Sequence, residues 1–239
     1  MARKIKIDNS ELKRRQYKKR SHIKKEIICH ILIVCEGSKT EPNYFKSFNK
    51  TKQGAIVFDL EFEGGGISTT KVVEKALELK KIAIQNKKPY DRIWAVFDRD
   101  SFSEQKFNAA IQMAQSNDIG CAWSNEAFEL WYLLHFYDRI THMRREEYQK
   151  AISNAVNGSS KYKSNKEYKY TKNAEDNFFI MNKYGNQADA IKRAIDLECN
   201  YDDHSYAKHN PCTSVYKLIN QLIGKDSELN EELMKKINE

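Results

Sequence analysis

Carboxylate side chains stand directly after two short apolar runs of this sequence. Glu36 follows residues 30–35. Asp98 and Asp100 follow residues 92–97. In an extended chain, residues two apart point to the same side, so the two aspartates can hold one hard cation through oxygen atoms. Glu36 closes such a site if its strand lies next to theirs.

Mg²⁺ is the cation that suits this donor set, and Mn²⁺ is an alternative, because both accept carboxylates together with water and a substrate phosphate. A bound metal can polarise a phosphoryl oxygen or lower the pKa of a water molecule enough to make it a nucleophile. Glu36 is then a third ligand or a general acid or base. The alternative is structural, since Asp and Asn are common where strands end and helices begin. The residues alone leave both interpretations open.

The elements that must position these acids alternate between strand and helix. Apolar or alternating runs predict strands at 30–35, 55–63, 92–97 and 119–123, and helical spacing predicts helices from about residue 40 and at 68–85, 103–115 and 126–137. This alternation implies βαβ crossovers and a mainly parallel sheet. In such sheets ligands bind at the carboxyl ends of the strands, which is where the acids stand.

The second half of the chain is predicted to be helical. Helical spacing recurs at 143–156, 186–198, 213–223 and 227–238, around a polar segment rich in Lys and Tyr at 159–172, and no strand is predicted beyond Arg139. The predicted class is therefore α/β, a small mainly parallel sheet flanked by helices with a helical C-terminal extension. Three parts are expected: a basic tail at 1–25, an α/β core at 26–138 and a mostly helical extension at 139–239.

The charge of the chain is concentrated in that tail. The whole chain of 239 residues has 41 Lys and Arg against 33 Asp and Glu, a net charge of +8. Residues 1–25 hold 11 basic and 2 acidic residues, which leaves 30 basic and 31 acidic residues for the rest. A tail of this charge predicts salt-dependent, sequence-independent affinity for nucleic acid.

The Lys- and Tyr-rich segment is a second candidate contact with nucleic acid. Lysines can pair with backbone phosphates while tyrosines stack on unpaired bases. The candidates are Lys161, Lys163, Lys166, Lys169 and Tyr168, near Lys172, Tyr162 and Tyr170. Lys39, in the turn after Glu36, is a candidate phosphate contact as well. The alternative for each is a solvated side chain.

Several classes of protein and site are not indicated. No apolar stretch is long enough to span a bilayer, and no signal-peptide pattern follows the basic N-terminus. The 5 cysteines form no disulfide framework, so a cytoplasmic location without a membrane partner is expected. The cluster Cys199, His204, His209 and Cys212 has spacings unlike a common zinc finger, so unliganded loop residues are favoured over zinc. His135, inside an apolar helical run, is predicted to be a core histidine.

Four ordered motifs in the chain resemble those of the RloB family. They are residues 33–45 (IVCEGSKTEPNYF), 96–100 (VFDRD), 124–136 (SNEAFELWYLLHF) and 210–218 (NPCTSVYKL). RloB proteins are similar to the Toprim superfamily, with a Glu after the first strand and an Asp-x-Asp after the third. The resemblance implies Mg²⁺-dependent phosphodiester chemistry on nucleic acid. It also implies a bacterial or archaeal anti-phage or abortive-infection setting, often beside an AAA-type ATPase.

The resemblance also assigns residues in this chain. Glu36 matches the Toprim glutamate, and Asp98 and Asp100 match the Asp-x-Asp. Glu41 and Glu129 match further acids of the RloB motifs and are candidate catalytic residues. The sequence departs from the family where a Pro and a small residue are usual, because it has Glu126 and Ala127 there. Glu126 is an extra acid of the site or, as favoured, a helix N-terminal residue stabilised by the helix dipole.

The leading hypothesis is a metal-dependent Toprim-like endonuclease acting on RNA, tRNA included, or on DNA. One alternative is a catalytically silent nucleic-acid-binding or sensor subunit of an ATPase-containing defence complex. Another takes Asp98, Asp100 and Ser101 as part of a haloacid-dehalogenase-like phosphatase, although its later motifs are not found. The sequence is compatible with a homo-oligomer. It leaves open the choice between RNA and DNA, the signal that activates the protein and the oligomeric state.

Overall fold

A computed structural model describes residues 26–100 and 102–238 of the protein. The predicted basic tail at 1–25 and Ser101 lie outside the described residues. In chain order the strands are β1 (Ile27–Cys35), β2 (Lys52–Gln53), β3 (Ile56–Gly64), β4 (Arg92–Asp98), β5 (Gly120–Asn125) and β6 (Cys212–Thr213).

These strands form one six-stranded sheet in the order β2-β3-β1-β4-β5-β6. The four central strands, β3, β1, β4 and β5, are parallel to their neighbours, whereas the edge strands β2 and β6 are antiparallel. The predicted α/β class with a mainly parallel sheet is therefore confirmed. Both edge strands are only two residues long, which is too short to produce a periodic pattern, and the expectation of no strand beyond Arg139 is wrong at β6.

Helices cover both faces of the sheet. They are α1 (Thr40–Lys46), α2 (Thr69–Gln85), α3 (Glu104–Gln115), α4 (Glu129–Leu134), α5 (Arg145–Gly158), α6 (Asn177–Tyr184), α7 (Gln187–Glu198), α8 (Val215–Leu222) and α9 (Ser227–Asn238), with a 3₁₀ turn at Tyr206–Lys208. None of the helices in the described ranges is long and apolar enough to cross a membrane.

The side chains of the central strand β1 pack against the helices on both faces of the sheet. Its side chains alternate between faces: Leu32 and Val34 pack with α2 and α3, whereas Ile31, Ile33 and Cys35 pack with the remaining helices. All five are fully buried. Burying an aliphatic side chain of this size stabilises a fold by about 1.5–3 kcal/mol. A run buried on both faces reads as continuously apolar, which is why the sequence predicted this strand.

The helical extension completes the core of the sheet. Tyr148 of α5, Met181 of α6 and Leu218 of α8 belong to the same buried cluster as Ile33 of β1. The sheet therefore depends on residues from both predicted parts of the chain for the packing of this face.

The chain after β5 differs from the prediction. The helix expected at 126–137 is confined to Glu129–Leu134. Before it, the buried Asn125 side chain donates to the Ala207 carbonyl (3.0 Å), and the Glu126 carbonyl accepts from the Asp100 backbone N–H (3.3 Å). These tertiary bonds hold the backbone out of the helix. The helix at α6 was not predicted at all.

Candidate functional site

The first and the fourth strands bring two of the predicted acids together. In the parallel register Cys35 of β1 pairs with Val96 of β4. The Glu36 backbone N–H donates to the Val96 carbonyl (2.9 Å), and the Glu36 Oε2 accepts from the Asp98 backbone N–H (3.1 Å). The two strands are therefore neighbours, which is the condition on which Glu36 could join the site, and a backbone hydrogen bond holds Glu36 beside Asp98.

A cleft of about 350 Å³ opens at this carboxyl edge of the sheet. It is lined by Glu36, Gly37, Ser38, Lys39, Thr40, Glu41, Gly66, Asp98, Asp100, Arg145, Lys172 and Asn173. Of the five predicted catalytic acids, all but Glu129 line the cleft. Glu129 lies deeper, where its Oε1 accepts a hydrogen bond from the Tyr170 hydroxyl (3.2 Å).

Burial sets the electrostatics of this edge. Glu41, Asp98 and Glu129 are only 6%, 5% and 3% exposed. Each has a buried carboxylate oxygen without a hydrogen-bond partner in the structure. Burial raises the pKa of Asp98 well above its ordinary value, and the nearby carboxylates of Glu41 and Glu129 raise it further. These groups form a desolvated acidic floor that needs positive charge.

The pKa values of Glu41 and Glu36 are shifted in the same direction. Burial raises the pKa of Glu41, and the neighbouring carboxylate of Glu129 adds to the shift. Burial also raises the pKa of Glu36 from 4.5 to about 7. The hydrogen bond from the Asp98 N–H opposes that rise, while Glu41 and Asp100 contribute to it. A carboxyl group with such a pKa exchanges protons near neutral pH.

The donor set fits a hard divalent cation by type. All of its side-chain donors are carboxylate oxygens, as Mg²⁺ prefers, and the unpartnered oxygens of Asp98 and Glu41 lie at the cleft. Within the described ranges, however, no three or more His, Cys, Asp or Glu side chains are arranged as a coordination sphere. The acids are therefore suitable ligands whose present positions are not those of a formed metal site.

The argument from an extended chain does not hold at Asp100. Strand β4 ends at Asp98, and Asp100 has a φ of 42°, in the left-handed region. Its side chain is 45% exposed, against 7% for the side chain of Asp98. The two carboxylates nevertheless meet at one partner, Arg145.

Arg145 is the functional candidate that sequence reasoning missed. Its Nη1 lies 2.6 Å from the Asp100 Oδ2, and its Nη2 lies 3.4 Å from the Asp98 Oδ2. The guanidinium lowers the pKa of Asp98 and of Glu36, against the dominant effect of burial. Arg145 begins α5, 47 residues beyond Asp98, and no local pattern links two residues at that separation.

Two glycines allow the backbone to close around the acids. A Cβ on Gly37 would lie 2.1 Å from the Glu41 Oε2. Gly64 has a φ of 93°, and a Cβ there would lie 2.3 Å from the Cys35 carbonyl oxygen. The next amides, of Gly65 and Gly66, donate to the Cys35 and Glu36 carbonyls (2.9 and 2.7 Å). The glycine run therefore packs closely against the end of β1.

Two of the lysines that could contact nucleic acid line the cleft, and the others lie outside it. Lys39 lines the cleft, as does Lys172, whose carbonyl accepts from the Thr40 hydroxyl (3.3 Å). Lys161 donates to the Gly185 carbonyl (2.8 Å). The exposed lysines of the segment are Lys161, Lys163, Lys166 and Lys169.

The tyrosines of this segment turn toward the protein. Tyr162 and Tyr168 pack against the core, and Tyr170 is 6% exposed with its hydroxyl on Glu129. The segment is thus held by its aromatic side chains while its lysines face solvent. A stacking role for Tyr168 and phosphate contacts for the lysines stay predictions.

The cysteines and histidines of the 199–212 cluster have separate environments. Cys199 is exposed and Cys212 is buried. The His209 Nε2 contacts the Asp203 carboxylate (3.0 Å), and the His204 Nδ1 contacts the Tyr206 hydroxyl (3.1 Å). The described residues contain no metal-holding group of three or more His, Cys, Asp or Glu side chains.

Two further predictions concern single residues. His135 is buried, its Nδ1 lies 2.9 Å from the Trp131 carbonyl, and burial lowers its pKa to about 4, which confirms a neutral core histidine. Glu126 precedes α4 by three residues, so its favoured role at a helix N-terminus is wrong. It lies 3.9 Å from the His142 Nε2 and does not line the cleft.

Comparison with known proteins adds one match. A family model described as RloB-like protein matches residues 31–222. No curated protein and no solved structure matches the chain. The matched residues include Glu36, Asp98 and Asp100, and they extend through Arg145 and most of the predicted extension.

Proposed function

The chain belongs to the RloB-like protein family, and from that premise we propose that it is a metal-dependent nuclease that hydrolyses phosphodiester bonds in RNA or DNA. One observation carries the proposal: Glu36, Asp98 and Asp100 line a single cleft at the carboxyl ends of adjacent parallel strands. The floor of this cleft holds buried carboxylate oxygens without partners, which favours a cation there. A Toprim-like assignment of these acids belongs to the same proposal.

The roles of the acids follow from their positions. Asp98 and Asp100 would hold Mg²⁺ or Mn²⁺, which when bound would polarise the phosphoryl oxygen and acidify a water molecule. Glu36, held at the Asp98 backbone, is a third ligand or carries a proton to or from the reacting oxygen. Glu41 at the cleft and Glu129 below it would add negative charge that favours cation binding.

The positive charge at the rim of the cleft favours a polyanionic substrate. Lys39 and Lys172 place positive charge around the acidic floor, so phosphates on either side of a scissile bond have cationic partners. The exposed lysines of the 159–172 segment extend this charge away from the cleft. Residues 1–25 would add sequence-independent affinity through their basic side chains.

Carboxylate-to-amide substitutions test the chemistry. Asp98→Asn and Asp100→Asn, alone and together, should abolish Mg²⁺- or Mn²⁺-dependent cleavage of RNA and DNA by the purified protein. Asp202→Asn is the matched control, because Asp202 is exposed and outside the cleft. Undiminished cleavage by the folded double variant would refute the proposal.

A catalytically silent nucleic-acid-binding or sensor subunit is the second candidate. Arg145 favours it, because this guanidinium already neutralises the two aspartates. A silent subunit would bind nucleic acid without metal-dependent cleavage, both alone and with an AAA-type ATPase partner. Cleavage that the Asp98→Asn substitution removes would exclude it.

The biological part of the proposal is anti-phage defence, in the manner of abortive infection, beside an AAA-type ATPase. It is supported by family membership alone. Sequencing the ends of RNA and DNA from cells that express the wild type or Asp98→Asn would identify the substrate. New ends that appear only with the wild type are expected, and identical ends in both cultures would contradict the proposal.

A further inference from the structure

Arg145 forms ion pairs with both aspartates that are the proposed metal ligands. Its two terminal nitrogens contact one carboxylate oxygen each on Asp100 and Asp98, at 2.6 and 3.4 Å. Its side chain is 31% exposed, so the guanidinium lies at the mouth of the cleft. In the described part of the chain, Arg145 is the ion-pair partner found for both aspartates.

The fold imposes this position. Arg145 is the first residue of α5, and that helix buries Tyr148, Ile152 and Val156 in the core. The preceding residue, Arg144, is exposed, and its backbone N–H donates to the Glu147 carboxylate (2.8 Å). The helix is therefore anchored on its apolar face, while one arginine of an adjacent pair is directed at the acids.

Arg145 contacts one oxygen of each of the two carboxylates that would hold a metal. Mg²⁺ binds carboxylate oxygens at about 2.1 Å and requires nearly octahedral geometry. The Oδ2 atoms of Asp98 and Asp100 are already engaged by the guanidinium, and a second cation at the same oxygens is repelled by its charge. A metal and Arg145 in its present position are therefore competitors for the same pair of carboxylates.

We propose that Arg145 is a resident counter-cation that competes with the divalent metal for Asp98 and Asp100. In the metal-free protein it compensates the buried acids, and metal loading requires the guanidinium to leave them. This inference rests on the proposed metal-dependent function. It adds a residue outside the predicted acid set, and the competition raises the metal concentration that is needed to load the cleft.

Metal affinity measured without any substrate tests the competition. We expect Arg145→Gln to bind Mn²⁺ about 10-fold more tightly than the wild type, a typical size for the coupling between two competing ligands. Electron paramagnetic resonance of free Mn²⁺ at pH 8.5 gives the dissociation constant while proton competition is low. Arg144→Gln carries the same charge change one residue away and should bind Mn²⁺ like the wild type.

The outcomes separate the two proposals. Binding by the wild type with equal or weaker binding by Arg145→Gln overturns the competition and leaves the metal site intact. Failure of both proteins to bind Mn²⁺ overturns the proposed function and this inference together. Tighter binding by Arg144→Gln to the same extent shows a general charge effect and also overturns the inference.

A second measurement uses the wild type and does not depend on the folding of a variant. Phenylglyoxal modifies free guanidinium groups, and mass spectrometry of the peptide that contains both arginines resolves Arg144 from Arg145. We expect Mn²⁺ to increase the modification rate of Arg145 and to leave that of Arg144 unchanged. An unchanged or reduced rate at Arg145 with saturating Mn²⁺ overturns the proposal.

Discussion

Replacing Glu36 by Gln should stabilise the metal-free protein at pH 8. The Glu36 carboxyl is half-buried at the end of β1, and burial raises its pKa from 4.5 to about 7, with Glu41 and Asp100 adding to the rise. The ionised form is therefore unfavourable in the folded state. A Gln side chain keeps an oxygen that can accept the hydrogen bond from the Asp98 N–H, so it removes the charge without removing the acceptor.

The size of the effect follows from the pKa shift. One pKa unit corresponds to 1.36 kcal/mol, so a shift from 4.5 to about 7 is worth at most about 3 kcal/mol. Glu36 is partly exposed, and solvent screening reduces the expected gain to about 1–2 kcal/mol. The wild type loses this stability as the pH rises from 4.5 through about 7, because the folded state holds its proton longer than the unfolded state. The gain of Glu36→Gln is therefore full above neutral pH and small below pH 4.5.

Urea unfolding with EDTA at pH 8 and at pH 5 measures this difference. Glu167→Gln is the matched control, because Glu167 is exposed and lies outside the cleft. It should change the free energy of unfolding by less than about 0.5 kcal/mol at either pH. The reasoning is refuted if Glu36→Gln lowers the stability at pH 8, or if its gain is the same at both pH values.

Three further predictions concern other parts of the chain. His135 has a pKa lowered to about 4 by burial, so the unfolded state takes up a proton first as the pH falls from 6.5, and the wild type should lose up to about 3 kcal/mol by pH 4. His135→Gln should flatten this loss in urea unfolding, and an unchanged pH slope would contradict it. Cys199 is exposed, whereas burial raises the pKa of the other four thiols. Native alkylation followed by mass spectrometry should therefore label Cys199 first, and faster labelling of any other cysteine would be inconsistent with their burial. Deleting residues 1–25 should weaken nucleic-acid binding and reduce its salt dependence, because 11 basic residues are lost. A fluorescence-anisotropy titration at several salt concentrations that gives the same slope for both proteins would rule out this role.

The local pattern of apolar residues was sufficient to predict the long strands and the acids at their ends. Residues 31–35 and 93–97 are buried in the sheet, and strands buried on both faces are continuously apolar, so burial leaves a direct trace in the sequence. The ends of these apolar runs also predicted where Glu36 and Asp98 lie relative to the strands. The two-residue edge strands left none, because they are too short to form a periodic pattern. The helix α4 was predicted with too early a start, because tertiary hydrogen bonds hold residues 125 and 126 out of it.

Hydrophobic periodicity was enough to predict the α/β class, the mainly parallel sheet and the placement of Glu36 and Asp98 at strand ends. The packing of the folded chain, in contrast, decided that β1 and β4 are adjacent in a register that bonds Glu36 to Asp98. It also decided that Arg145 reaches both aspartates and that Tyr170 turns inward onto Glu129. These contacts join residues that are far apart in the sequence. Periodicity reports which face of an element is buried, whereas the meeting of side chains from distant elements depends on how those elements pack.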